Sequence, residues 1–369
     1  EVVRGPASVL WGADALGGIV AVETLDPEDG LNGRNMGGQG RVAYDSLSGS
    51  GTVSGVFAQR WSDTFAVLAA VSRQSGHEAR LSNARADGGI YGCPRNLAAG
   101  QLPCNKLDRM GTDSYRGLLK FVWTPTTEHR LELSADMMRR DTDVDYTRTL
   151  GRQTNGNTVT SYDRKLELTR HRFGAEHQWT PENGLLDSLK TSFAFAPHKY
   201  DRSGLLRGTT AALQAYRTED LLGYSEDFYE LDVQATKSFN TGTLSHELTF
   251  GFDGDYSTQD YVRRDRTTNL VTGAVTEARA GGFNFANAQT RRADVYAQDK
   301  IGLFDGKLEL TPGLRFATYR IEPKPDADYK LVAGSPPFVR QDNELLKSLG
   351  ALYRVDQTWS VWGKYGEGF

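Results

Sequence analysis

The sequence predicts an all-β protein, a partial antiparallel transmembrane β-barrel. Three observations carry this. Hydrophobic and polar residues alternate with period two over most of the chain. The connections between these runs alternate in length, short and then long. An aromatic residue stands at or beside each short connection. Hydrophobic residues make up 38% of the chain, and the longest clean apolar run is "FAVLAAV" at 65–71. That is far short of the roughly 20 residues of a membrane helix. A barrel can still cross a bilayer with this composition, because only every second strand residue faces lipid.

The first segment, "EVVRGPASVLWGADALGGIVAVETLDP", differs from the rest and is dense in glycine. It reads as a strand ("EVVR"), a turn ("GP"), a short helix ("ASVLWG"), and a Gly-Gly turn into a second strand ("IVAVETL"). It is not a phosphate loop: Gly5 and Gly12 are too far apart and no Lys follows. "GGQG" at 37–40 is too little for a dinucleotide site.

After Pro27 the alternation begins. "HRLELSAD" sets Leu131, Leu133 and Ala135 against Arg130, Glu132, Ser134 and Asp136. "HELTFGFDGDY" sets Leu248, Phe250, Phe252 and Tyr256 against Glu247, Thr249, Asp253 and Asp255. "KLELTPGLRFATY" sets Leu308, Leu310, Leu314 and Phe316 against Glu309, Thr311 and Arg315. "TWSVWGKY" sets Trp359, Val361 and Tyr365 against Ser360, Trp362 and Lys364. In "DRKLELTRHRFGAEHQW", Leu166 and Leu168 are out of phase with Phe173, Ala175 and Trp179, so a bulge is expected there. The pattern gives about thirteen strands of roughly ten to eighteen residues.

Short connections fall near Ser62, Pro125, Pro181, Asn240, Asp305 and Asp356. Long polar ones are expected around 75–112, 141–160, 201–221, 260–290 and 322–345. Trp61, Trp123, Trp179, Phe239, Phe304 and Trp359 accompany the short ones, as an interfacial girdle would. Bacterial barrels use even strand numbers, and the alternation still runs at Phe369. The expectation is therefore a fragment cut at both ends, an open curved sheet with two unpaired edges.

Lys and Arg number 43 against 47 Asp and Glu, a net charge of −4, which argues against nucleic acid as a partner. Cys93 and Cys104, in "CPRNLAAGQLPC", lack the further ligands of a zinc site. A disulfide in an oxidising compartment is the preferred reading, with two unpaired thiols as the alternative. His129 and His246 lie beside short turns. His171 and His177 share one long strand, and no histidine pair has metal-ligand spacing. His77 opens the first long loop, and His198 falls opposite Phe193 and Phe195, on the lumen side. These two are the candidates for touching a substrate near the mouth, against the plainer reading of solvated side chains. The runs 137–148 and 261–269 read as solvated rim, or as a mixed-charge vestibule whose arginines grip carboxylates in pairs. No Ser/His pair supports hydrolysis, so an enzyme is not expected.

The opening 27 residues resemble the end of the plug domain of TonB-dependent outer-membrane receptors. The resemblance continues through the barrel strands and covers essentially the whole chain. It implies residues 1–28 as the C-terminal part of the plug and 37–369 as the N-terminal part of the barrel, about thirteen of roughly 22 strands. It also implies a bacterial outer-membrane location in lipid, and active uptake energised by TonB, with ExbB and ExbD, through a region upstream of Glu1. Segments 295–329 and 359–369, the latter ending "YGEGF", are similar to the haem/haemoglobin receptor subfamily. In that subfamily a FRAP box, a haem-ligand His and an NPNL box follow, and this chain supplies only Phe369 of them. The implied cargo is haem, or haem from a haemoprotein, with no permanently bound cofactor; the alternative is a ferric siderophore. His77 and His198 would then be vestibule contacts to haem. Glu1 and Arg4 would join an electrostatic lock between plug and barrel.

Overall fold

A computed structural model describes residues 2–4, 9, 18–20, 23–79, 107–278, 286–326, 329, 331, 333–334 and 336–368. The opening strands β1 (Val2–Arg4) and β2 (Gly18–Val20) pair antiparallel. A five-residue helix, α1 (Pro27–Leu31), follows. Apart from a single 3-10 turn at Thr147–Thr149, the regular structure that follows is strand: β3 (Met36–Asp45), β4 (Ser50–Ser62), β5 (Phe65–His77), β6 (Arg109–Thr126), β7 (His129–Asp145), β8 (Gly151–Arg152) and β9 (Thr158–Trp179). Then come β10 (Ser188–Phe195), β11 (His198–Thr209), β12 (Ala215–Thr241), β13 (Leu244–Asn269) and β14 (Val275–Ala278). The series ends with β15 (Asn287–Leu303), β16 (Leu308–Lys324), β17 (Arg340–Arg354) and β18 (Ser360–Gly366). Among the described residues no helix is long and apolar enough to cross a membrane.

From β3 to β18 the strands form one antiparallel sheet of 16 strands, with sequence neighbours as spatial neighbours. β10 and β11 occupy a single position, both lying between β9 and β12. The chain breaks between them at Ala196 and Pro197, where proline cannot donate to the ladder. β3 and β18 each have one partner among the described residues.

Alternation divides the sheet into two faces. Phe57, Val71, Leu119, Leu133, Phe173, Phe193, Leu231, Phe250, Val295 and Leu314 share one face and are all exposed. A broad exposed apolar surface of this kind is what a lipid-facing band requires. Trp61, Trp123, Phe239, Phe304 and Trp359 ring its short-turn end, also exposed. Trp179 completes the ring, stacked on His129 with centroids 6.2 Å apart. The turns themselves are tight; Gly242, at φ 63°, turns β12 into β13 where a side chain would be strained.

Two sequence expectations change. First, β9 has no bulge against β7: pairing is continuous from His129↔Trp179 to Asp145↔Asp163. Leu166 and Leu168 simply face inward, while Phe173, Ala175 and Trp179 face out. Nearer the short turn the outward face meets lipid. Further up both faces leave the membrane, so an apolar residue no longer marks the outward face, and Leu166 and Leu168 stand on the inner one beside Arg202 and Tyr200. Second, the stretches 201–221 and 260–290 are largely strand. β12 has 27 residues and β13 has 26. A membrane needs about 9–11 per strand, so this hairpin projects well beyond the bilayer on the side opposite the girdle.

Candidate functional site

The inner face carries α1 and Val9, and there the opening segment is tied to the wall twice. In the first tie, Arg315 of β16 is fully buried. Its Nε donates to Asp294 Oδ2 at 2.9 Å, its Nη2 donates to Asp253, and its Nη1 donates to the carbonyl oxygen of Val9 at 3.2 Å. The guanidinium lies 5.4 Å from the ring centre of Tyr296. Arg292 ion-pairs with Asp253 at 3.1 Å and Asp255 at 2.8 Å. Asp294, also fully buried, further accepts the Thr318 backbone N–H. A guanidinium placed here needs carboxylates around it, because an unpaired buried charge is costly.

The second tie is α1. The Asp29 carboxylate accepts the Asp26 backbone N–H at 2.8 Å, closing the first turn. Leu31 is fully buried against Ala58, Ala66 and Leu68 of the wall. Gly30 allows this approach, since a Cβ there would stand 2.8 Å from the Ala58 Cβ. The Asp26 carboxylate pairs with Lys120 and Arg130, each at 3.1 Å. Both cations also pair with Glu132, at 2.9 and 3.0 Å.

Above the membrane the inner wall is polar and aromatic. Tyr162 donates to Asp220 Oδ2 at 2.7 Å and accepts from Arg164 Nε at 2.6 Å. The Arg164 guanidinium sits over the rings of Tyr146 and Tyr162, at 4.7 and 4.5 Å. Burial, and then Asp220, push the Tyr162 phenol up to about 12, against the opposing pull of Arg164. His198 lies 3.6 Å from Glu226 Oε2, with its ring 5.5 Å from Tyr224. Tyr224 donates to Glu226 at 3.3 Å; burial and the Glu226 charge raise its phenol to about 12.

His198 therefore stands on the inner wall, register partner of Arg170 and Glu226. His77 ends β5 in phase with Val71 and Arg73, exposed on the outward face, its Nδ1 3.1 Å from the Glu78 carbonyl. His129 and His177 contact each other on the outward face, 3.0 Å between ring nitrogens, beside the girdle. His246 stacks on Phe239 there. Of the predicted lock, Glu1 lies outside the described residues. Arg4 is described only as backbone, paired with Gly18. Cys93 and Cys104 lie outside the described residues. The ties through Arg315 and Asp26 were missed. Their signal was present as charged residues at inward positions of membrane-spanning strands, but nothing local marks which of those meet the opening segment.

A family model described as TonB dependent receptor-like, beta-barrel matches residues 116–369. Heme/hemopexin utilization protein C of Haemophilus influenzae is 26% identical over 394 residues, covering 100% of this chain and 48% of that protein. The chain thus spans about half the length of the curated relatives it matches. Among solved structures, the Serratia marcescens hemophore receptor HasR, in complex with its hemophore HasA and heme, superposes with a TM-score of 0.65 at 17% identity. It is covered over 100% of this chain and 50% of that one. The ferripyoverdine receptor of the Pseudomonas aeruginosa outer membrane gives 0.65 at 15%, over 99% and 46%. At these identities the structural likeness shows a shared fold.

Proposed function

The chain belongs to the TonB-dependent receptor-like β-barrel family, and on that premise we propose that it serves in TonB-energised uptake of haem, or haem drawn from haemoproteins, across the bacterial outer membrane. The observation that carries the reading is the alignment of the whole chain with a protein named for heme and hemopexin utilization. The inner wall is in keeping with it, offering arginines, tyrosines and His198 above the membrane. Of the two vestibule histidines, the register favours His198, because His77 points away from the lumen.

In this reading residues 1–28 close the lumen as the end of the plug, held to the barrel wall by Arg315 and by the Asp26 cluster. Glu1 and Arg4 would add to that hold. TonB, working with ExbB and ExbD, supplies the pull that loosens the plug, and a Cys93–Cys104 disulfide would brace the first outer loop. The test is growth of an iron-starved host lacking its own haem receptors, with haemin as the iron source. Expression of the protein restores growth in a host with TonB and fails to do so without it. Growth on a ferric siderophore but not on haemin would replace this reading with the siderophore alternative.

A further inference from the structure

The wall above the membrane has an order that the hydrogen-bond networks alone do not reveal. Tyr200 pairs with Tyr224, and Tyr224 with Tyr261. Three tyrosines thus form one row across β11, β12 and β13 on the inner face, none fully buried or fully exposed. Adjacent strands are about 4.8 Å apart, so the row spans about 10 Å. Two residues higher, about 7 Å along the strands, the next inward row carries Arg202, Leu222 and Arg263. Leu168 and Leu166 of β9 extend the two rows at one end. Arg202 Nε is buried without a hydrogen-bond partner, while the side chain keeps 20% of its surface exposed and its Nη2 is 3.6 Å from Asp220, too far for a firm bond, so a carboxylate would meet the guanidinium at its Nη end.

An aromatic row beneath a guanidinium row suits a flat π-surface that ends in carboxylates. Ring faces stack on the phenols, and each guanidinium can hold a carboxylate with two parallel bonds. We propose that Tyr200, Tyr224 and Tyr261 form a stacking shelf for a planar porphyrin dicarboxylate, with Arg202 and Arg263 receiving the two carboxylates. This rests on the haem reading above and gives it a first docking place in the vestibule, one that requires no iron.

Metal-free protoporphyrin IX tests it, because binding then owes nothing to axial ligation. The purified receptor is titrated in detergent, following porphyrin fluorescence, with the dimethyl ester as the comparison ligand. The wild type binds the diacid about tenfold or more tightly than the ester. Tyr224→Ala weakens both ligands about tenfold, whereas Tyr224→Phe, which keeps the ring, does not. Arg202→Gln/Arg263→Gln weakens the diacid alone. Full binding by a folded Tyr224→Ala, or equal affinity of the wild type for diacid and ester, overturns the shelf while leaving haem uptake standing. A wild-type receptor that binds no porphyrin and supports no growth on haemin overturns both.

Discussion

Replacing Arg315 by Leu should be among the most damaging single changes in the described wall. The side chain is fully buried and serves Asp294, Asp253 and the Val9 carbonyl together. Without it, Asp253 keeps Arg292, but Asp294 is left fully buried with the single hydrogen bond from the Thr318 backbone N–H among the described residues. Stranding one charge of a buried pair costs about 3–5 kcal/mol. Most of that traces to Asp294, so Arg315→Leu/Asp294→Leu should recover nearly all of it. The second change cannot restore the donor to Val9, which leaves a deficit of about 1 kcal/mol. Urea unfolding of the micelle-bound protein, followed by tryptophan fluorescence, measures both. A single variant that loses less than about 1 kcal/mol, or a double variant no better than the single, would refute the reasoning.

Gly30→Ala should lose about 1–3 kcal/mol, read as a lower urea midpoint, because the new Cβ meets Ala58 Cβ at 2.8 Å and outweighs the gain in helix propensity. Lys120→Met removes one of the two cations that hold Asp26 and leaves Arg130, so limited proteolysis should cut near residue 26 somewhat faster in that variant than in the wild type, and faster again once Arg130→Met is added. The Tyr162 phenol has a folded value raised to about 12 from 10.0. Its protonated form is thus favoured by folding, and its stability contribution is complete below pH 10 and lost as pH rises towards 12. Ultraviolet difference titration should show this phenol ionising late, and earlier once Asp220→Asn removes the carboxylate. Trp61, Trp123 and Trp359 should be quenched more by lipids brominated near the headgroup than by lipids brominated at mid-chain.

The architecture was legible in the sequence because a membrane strand has two different environments, and each residue records which one it meets. Leu133 against Glu132, or Phe316 against Arg315, states the face directly, and the register agrees at each. The rule weakened where the environments stop differing. Above the bilayer Leu166 and Leu168 turn inward because both faces meet water, and a change of phase was mistaken for a bulge. Polar composition likewise suggested loops at 201–221 and 260–290, where solvated strands continue. The ties of the opening segment were less legible still. Arg315 and Val9 are 306 residues apart, and Asp26 and Lys120 are 94 apart. No local pattern links them. The tyrosine row depends in the same way on the relative register of three strands, which the alternation alone does not set.

Haemin itself, followed into the cell, tests the proposed cargo. Uptake of radiolabelled haemin by cells expressing the protein should exceed that of cells without it, fall to background when TonB is absent, and be unaffected by excess ferric siderophore. Haemin uptake equal to that of cells lacking the protein, with uptake of a labelled ferric siderophore instead, would show a siderophore receptor.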